Sequence, residues 1–208
     1  YGRLEMRAKV PFGAGAFPSL WLTSRGAIGY DSSSEYSTEI DIFEVFGKTN
    51  TNDTLVTCIH KWYNDENGNK TGDECSSGTG RFSGNSDKVP EEKRSYKVEG
   101  DAQDEFHTFV FEWDEDSMSF SVDGTVYYTA LRSEMDDFDL TGYSTNSDGI
   151  FNQPVCLRLN NQMYTVGEGA AYTYNGSADD IDASKLNYEI DYIRLYQKND
   201  GKSEINFR

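Results

Sequence analysis

Apolar and polar residues alternate strictly at the start of the chain, where Leu4, Met6, Ala8 and Val10 interleave with Arg3, Glu5, Arg7 and Lys9 until Pro11 ends the run. A period of two puts one set of side chains on a core and the other in water, so this spacing predicts a half-buried strand. Phe109-Val110-Phe111-Glu112-Trp113 is apolar at nearly every position and predicts a strand buried on both sides, with Trp113 in the core beside Phe109 and Phe111. Short segments of this kind recur between turn residues, to which the 19 Gly of the chain contribute, and no sustained helical period appears. The pattern predicts an all-β sandwich of two antiparallel sheets. A chain of 208 residues without linker or repeat suits one domain over 1–208.

One segment breaks the pattern. Glu39-Ile40-Asp41-Ile42-Phe43-Glu44 reads as a buried strand, yet it carries three carboxylates. In a regular strand Glu39, Asp41 and Phe43 share one face, while Ile40, Ile42 and Glu44 share the other. A single β-bulge after Asp41 inserts one extra residue and brings Glu44 round to the face of Glu39 and Asp41. The α-carbons of Glu39 and Glu44 are then about 13 Å apart, and two long side chains leaning together shorten that gap. The result approaches the separation of about 5 to 5.5 Å between the carboxyl groups of a retaining glycosidase. Mutual repulsion raises the pKa of at least one member of such a trio, as a general acid working near neutrality requires. The competing reading is an edge strand whose acids face water, which the flanking Ile40, Ile42, Phe43, Val45 and Phe46 disfavour.

Tyr1 to Lys9, Phe17-Pro18-Ser19-Leu20-Trp21-Leu22 and the E-x-D-x-x-E run at Glu39 to Glu44 together resemble glycoside hydrolase family 16, in its bulged, laminarinase-like branch. Phe106 to Trp113, Ser121-Val122-Asp123-Gly124, Pro154 to Asn160 and Glu189 to Tyr196 resemble the family's remaining core strands in the same order. The resemblance implies a jelly-roll β-sandwich, like concanavalin A-type lectins and glucanases, with an open concave cleft. It implies Glu39 as nucleophile, Asp41 as its helper and Glu44 as acid/base. It also brings Trp21, Trp62 and His60 near the cleft, where aromatic rings stack on sugars. His60 alternatively reads as a core histidine, Arg25 as surface charge, and Asn160 as a sugar ligand or a strand-end residue. The family's usual structural calcium implies Asp191 as a metal ligand; catalysis itself requires no cofactor. Family members carry further strands before the segment that here begins at Tyr1, so the chain reads as N-terminally incomplete.

The implied activity is endo-acting retaining hydrolysis of a β-1,3- or mixed β-1,3/1,4-glucan. Its alternatives are a β-galactan or host-glycan hydrolase, a lectin-like module without catalysis, and a transglycosylase. The 36 Asp plus Glu against 19 Lys plus Arg, a net charge of −17, argue against nucleic acid and anionic membranes as partners. Arg25, Lys48, Lys61 and Arg158 are scattered along the sequence with no cluster of the kind that sulfated galactans, substrates of other family members, would call for, which favours a neutral glucan. The expected partner is a polysaccharide or oligosaccharide bound by a monomer. No stretch is apolar enough to span a membrane, and the composition suits a secreted or cell-surface protein. Of the three cysteines, Cys58 and Cys75 could clamp the polar loop between them, and Cys156 in Val155-Cys156-Leu157 reads as a small core residue. Asp179-Asp180-Ile181-Asp182 lacks the glycine and spacing of an EF-hand loop and reads as a solvated turn.

Overall fold

The computed structural model describes residues 1–27, 36–47, 54–67, 69–75, 93–99, 102–132, 154–163, 165–166, 173–174 and 176–197. Two antiparallel sheets face each other. The first runs in the order β13 (Glu189–Tyr196), β1 (Gly2–Lys9), β7 (His107–Trp113), β8 (Ser117–Val122) and β9 (Thr125–Leu131). The second runs β10 (Cys156–Met163), β2 (Ala16–Thr23), β3 (Tyr36–Val45), β4 (Thr54–Asn64) and β5 (Lys70–Cys75), with β6 (Ser95–Lys97) also paired to β4. A short parallel pair, β11 (Thr165–Val166) and β12 (Thr173–Tyr174), stands apart.

Alternation sets the core. Leu4, Met6 and Ala8 of β1 are buried against Leu20 and Leu22 of β2, Ile40 and Phe43 of β3, Leu55 and Ile59 of β4, and Phe109 and Phe111 of β7. Trp113 lies in this core. The expectation that β7 is buried on both sides holds only in part: Val110 is buried, but Glu112 is exposed and reaches Arg3 on β1. The edge strands are less covered. Leu157, Ile190, Ile193 and Leu195 pair with the core positions Leu22, Ala8, Met6 and Leu4, yet 39–47% of their surface remains exposed.

Two local devices fix strand ends. Asp123 (φ 48°) and Gly124 (φ 82°) form the tight β8–β9 turn, where two successive positive φ angles match the twist of a hairpin. Asp123 also accepts from the Thr108 amide at 2.8 Å and meets His107 Nδ1 at 2.6 Å, which ties the turn to β7. The second device lies just past β3. Gly47 donates to Ala16 O at 2.9 Å and its carbonyl accepts from Gly15 N at 2.8 Å. A Cβ at Gly47 would press on the Ala16 carbonyl and come within 2.7 Å of Gly13 O. Gly47→Ala is therefore expected to destabilise the fold by about 1–3 kcal/mol, read as a lower urea midpoint with an unchanged slope.

Candidate active site

The phase problem of β3 is resolved by an inserted residue. Against β2, Asp41 pairs with Trp21 and Phe43 with Leu20; against β4, Asp41 pairs with Cys58 and Glu44 with Val56. Ile42 has no partner on β2, and against β4 Ile42 and Phe43 together stand opposite the single residue Thr57, the two-against-one pattern of a bulge. Glu39, Asp41 and Glu44 consequently share the outer face of the second sheet, while Ile40, Ile42 and Phe43 are buried.

A bulge leaves backbone groups without ladder partners, and these need others. The Ile42 carbonyl accepts from Thr57 Oγ1 at 2.9 Å and from the Tyr127 hydroxyl at 3.2 Å. Thr57 and Tyr127 also lie 2.7 Å apart. Tyr127 belongs to β9, so the opposite sheet helps to hold the bulge. Arg94, 5% exposed, donates to Thr57 O at 2.7 Å and accepts from Thr57 N through its own carbonyl at 2.9 Å. Sequence reasoning missed Thr57, Arg94 and Tyr127. Arg94 sits in a run of charges, Glu91-Glu92-Lys93-Arg94, which carries no sign of burial.

Electrostatics separates the acids. Burial pushes the Glu44 carboxyl up to about 8; the Asp41 carboxylate and, more weakly, Glu39 push it the same way, while His60 and Arg94 oppose. Glu44 is therefore protonated at neutral pH. Asp41 is 3% exposed, and its Oδ2 lies 3.1 Å from His60 Nε2. His60 stacks on Trp62 with ring centroids 5.2 Å apart and planes at 11°.

Register places the remaining candidates. Trp21 is opposite Asp41 on one side and Arg158 on the other, and its Nε1 donates to Asn160 Oδ1 at 2.7 Å. Asn160 is thus on the same face as the acids. His60 and Trp62 stand on that face too, opposite Glu39 and Ser37. Arg25 lies in the turn after β2, where its amide donates to Thr23 Oγ1 at 3.2 Å.

Three expectations change. Cys156 is half-buried on the outer face because it pairs with Thr23, and its thiol donates to Thr23 O at 3.4 Å instead of filling the core. Cys58 is a buried thiol beside Asp41 and His60, so the disulfide to Cys75 is not made; the Cys75 side chain lies outside the described residues. Asp191 does not fit a calcium site. It is exposed, and its Oδ2 accepts from the Arg7 guanidinium at 2.6 Å, a fixed cation where calcium would need six to eight oxygens. The acidic run after Ser177 is a turn as expected: Asp180 accepts from the Ser177 amide and Asp182 from the Ser184 amide, so those carboxylates cap two short 3-10 turns.

The family model for glycosyl hydrolases family 16 matches residues 1–147, a span that includes all three acids. The chain belongs to that family. Among curated relatives, the chain is similar to a glucan endo-1,3-beta-glucosidase A1 of Niallia circulans, 26% identical over 95% of this chain and 24% of that protein. A beta-glucanase of Rhodothermus marinus is 27% identical over 95% of this chain and 57% of its own length. The chain thus spans a quarter to about half of these relatives. Among solved structures, an endo-acting O-glycanase of the human gut microbiota that initiates mucin breakdown is 26% identical over 96% of this chain and 58% of its own, with a TM-score of 0.59.

Proposed function

We propose that this family 16 chain is an endo-acting, retaining glycosidase that cleaves internal bonds of a β-1,3- or mixed β-1,3/1,4-glucan. The observation that carries this reading is the bulge at Ile42, which gives Glu39, Asp41 and Glu44 one face, together with the proton that Glu44 keeps up to about pH 8. Glu39, ionised, attacks the anomeric carbon while Glu44 gives its proton to the departing glycosidic oxygen. The sugar is then esterified to Glu39. That step removes the Glu39 charge, one of the influences that raise Glu44, so Glu44 becomes a better base for the incoming water. Water attacks the same carbon from the face the leaving group left, and the configuration is retained. Asp41, held against His60, stands on the same face two residues from Glu39 as its helper.

Trp21 offers a sugar platform whose tilt is fixed by its bond to Asn160, and the His60–Trp62 stack offers a second. Arg25 borders the same end of the face as Glu39. The glucan assignment draws on the two curated relatives; the gut O-glycanase supports a second reading, in which the polymer is a host glycan. Either polymer is extracellular, which suits a secreted or cell-surface enzyme, and among the described residues no helix is long and apolar enough to cross a membrane.

Reducing-end release from laminarin, barley glucan, agarose and mucin O-glycans separates these readings. Turnover of laminarin or barley glucan, with a first product of β configuration by NMR, is the expected result. Turnover of mucin glycans alone moves the substrate to the second reading. Oligosaccharide binding by calorimetry with no turnover of any polymer overturns the enzyme and leaves a lectin-like module.

A further inference from the structure

Cys58, on the outer face of β4, takes no part in the proposed hydrolysis, yet it stands beside two residues that do. Cys58 pairs directly with Asp41, and His60 follows two residues on along β4, so all three side chains leave the same face. A ligand atom from each, the Cys58 thiol, the His60 imidazole nitrogen and an Asp41 oxygen, lies within 4.8 Å of the others. Cys58 is 5% and Asp41 3% exposed, and the His60 side chain is 16% exposed. Among the described residues this is the one such grouping of His, Cys, Asp and Glu.

We infer that Cys58, His60 and Asp41 form a binding site for a borderline-soft divalent cation, with Zn²⁺ as its model ligand. Bonds of about 2.0–2.3 Å to sulfur, nitrogen and oxygen put tetrahedral ligand atoms about 3.4–3.6 Å apart. The His60–Asp41 pair, at 3.1 Å, stands slightly inside that spacing, and the Cys58 thiol, within 4.8 Å of both, has at most about 1.4 Å to close. Sulfur and imidazole donors select Zn²⁺ or Co²⁺ over Ca²⁺ and Mg²⁺, which demand oxygen. Binding exchanges the thiol proton for the metal: Cys58–SH and Zn²⁺ give a Cys58–S–Zn bond and one proton released to solvent. His60 presents the Nε2 lone pair to the ion and keeps its ring proton on Nδ1. The fourth position opens toward the outer face, where a water can complete the tetrahedron.

Occupation of this site would switch the enzyme off. It takes Asp41 and His60 from their mutual contact, and a double positive charge beside Glu44 favours loss of the proton that Glu44 must donate. The inhibition rests on the glycosidase reading, whereas the binding does not. For that reason the deciding measurement is spectroscopic.

Cobalt titration of the whole reduced chain should produce a thiolate-to-cobalt charge-transfer band and tetrahedral d–d bands, displaced by Zn²⁺ and unaffected by Ca²⁺. The double variant C75S/C156S, in which Cys58 is the sole thiol, should keep these bands. Cys58→Ser should lose them and weaken Zn²⁺ binding by more than about 100-fold, beyond what loss of a mere supporting contact costs. In metal-free buffer C58S should turn over glucan like the unmodified chain. Saturating Zn²⁺ should slow the unmodified enzyme roughly 10²-fold, the scale of a lost general acid, with recovery on adding EDTA. Absence of the charge-transfer band from C75S/C156S overturns the site even if C58S fails to fold. Equal Zn²⁺ affinity in C58S and the unmodified chain does the same. Clear cobalt bands in a chain that hydrolyses no polymer would leave the metal site standing and remove only the glycosidase.

Discussion

Glu44→Gln is expected to abolish glucan hydrolysis and, at the same time, to make the protein more stable. The activity loss follows from the general-acid role proposed for Glu44: a glutamine cannot protonate the departing oxygen, and proton transfer of this kind is worth about 10²–10⁴ in rate. The gain in stability follows from the raised pKa. Glu44 titrates near its ordinary value of 4.5 in the unfolded chain and at about 8 in the folded one. Between those values the unfolded chain releases a proton that the folded chain keeps, so stability falls as pH rises through the window and levels off above about 8. The amide has no proton to lose, and the several kcal/mol at stake no longer separate the states. Melting curves from pH 4 to pH 9 should show the unmodified chain losing midpoint temperature with rising pH relative to Glu44→Gln. The kcat/KM of the unmodified enzyme should fall above about pH 8 as Glu44 ionises. A variant that is inactive but shows the same pH dependence of melting as its parent would remove Glu44 as the buried acid.

Glu39→Ala should be the most damaging substitution for chemistry, since without the nucleophile no glycosyl-enzyme can form; a loss of roughly 10⁴–10⁶ in kcat is expected. Azide distinguishes this role from that of Glu44. In the space vacated by Glu39 it can attack an activated aryl glucoside directly, releasing the aryl oxide and forming a glycosyl azide of inverted configuration. In Glu44→Ala, Glu39 still forms the covalent intermediate with an activated leaving group, and azide then resolves it to a product of retained configuration. Opposite anomers from the two variants would fix both roles by one NMR measurement. The same anomer from both, or undiminished turnover by either, would reverse the assignment.

The parts of this site that could be read from sequence were those governed by side-chain phase. Leu4, Met6 and Ala8 had to be inside because their neighbours were charged, and Glu44 had to be rescued by a bulge because two isoleucines and a phenylalanine flanked it. Both follow from the period of a strand, and both hold in the structure. Local phase cannot reveal what crosses from one sheet to the other. Nothing near Tyr127 marks it as a partner of Ile42, 85 residues away, and nothing in the charged run around Arg94 marks it as buried beside Thr57. Cys156 was misread because an apolar triplet conceals which of its members faces out; only its pairing with Thr23 decides. Asp191 was misread for a related reason, since its cation is an arginine supplied by another strand.

The link from Tyr127 through Thr57 to the Ile42 carbonyl makes the placement of Glu44 relative to Glu39, the two carboxylates proposed to work together, depend on how the layers of the sandwich are stacked. A disturbance that shifts one layer against the other by a fraction of an ångström, whether heat, pressure or a remote overpacked side chain, reaches the reacting centre before any strand melts. Catalytic rate in this protein should therefore serve as an internal gauge of interlayer alignment, declining at temperatures where circular dichroism still reports an intact β fold.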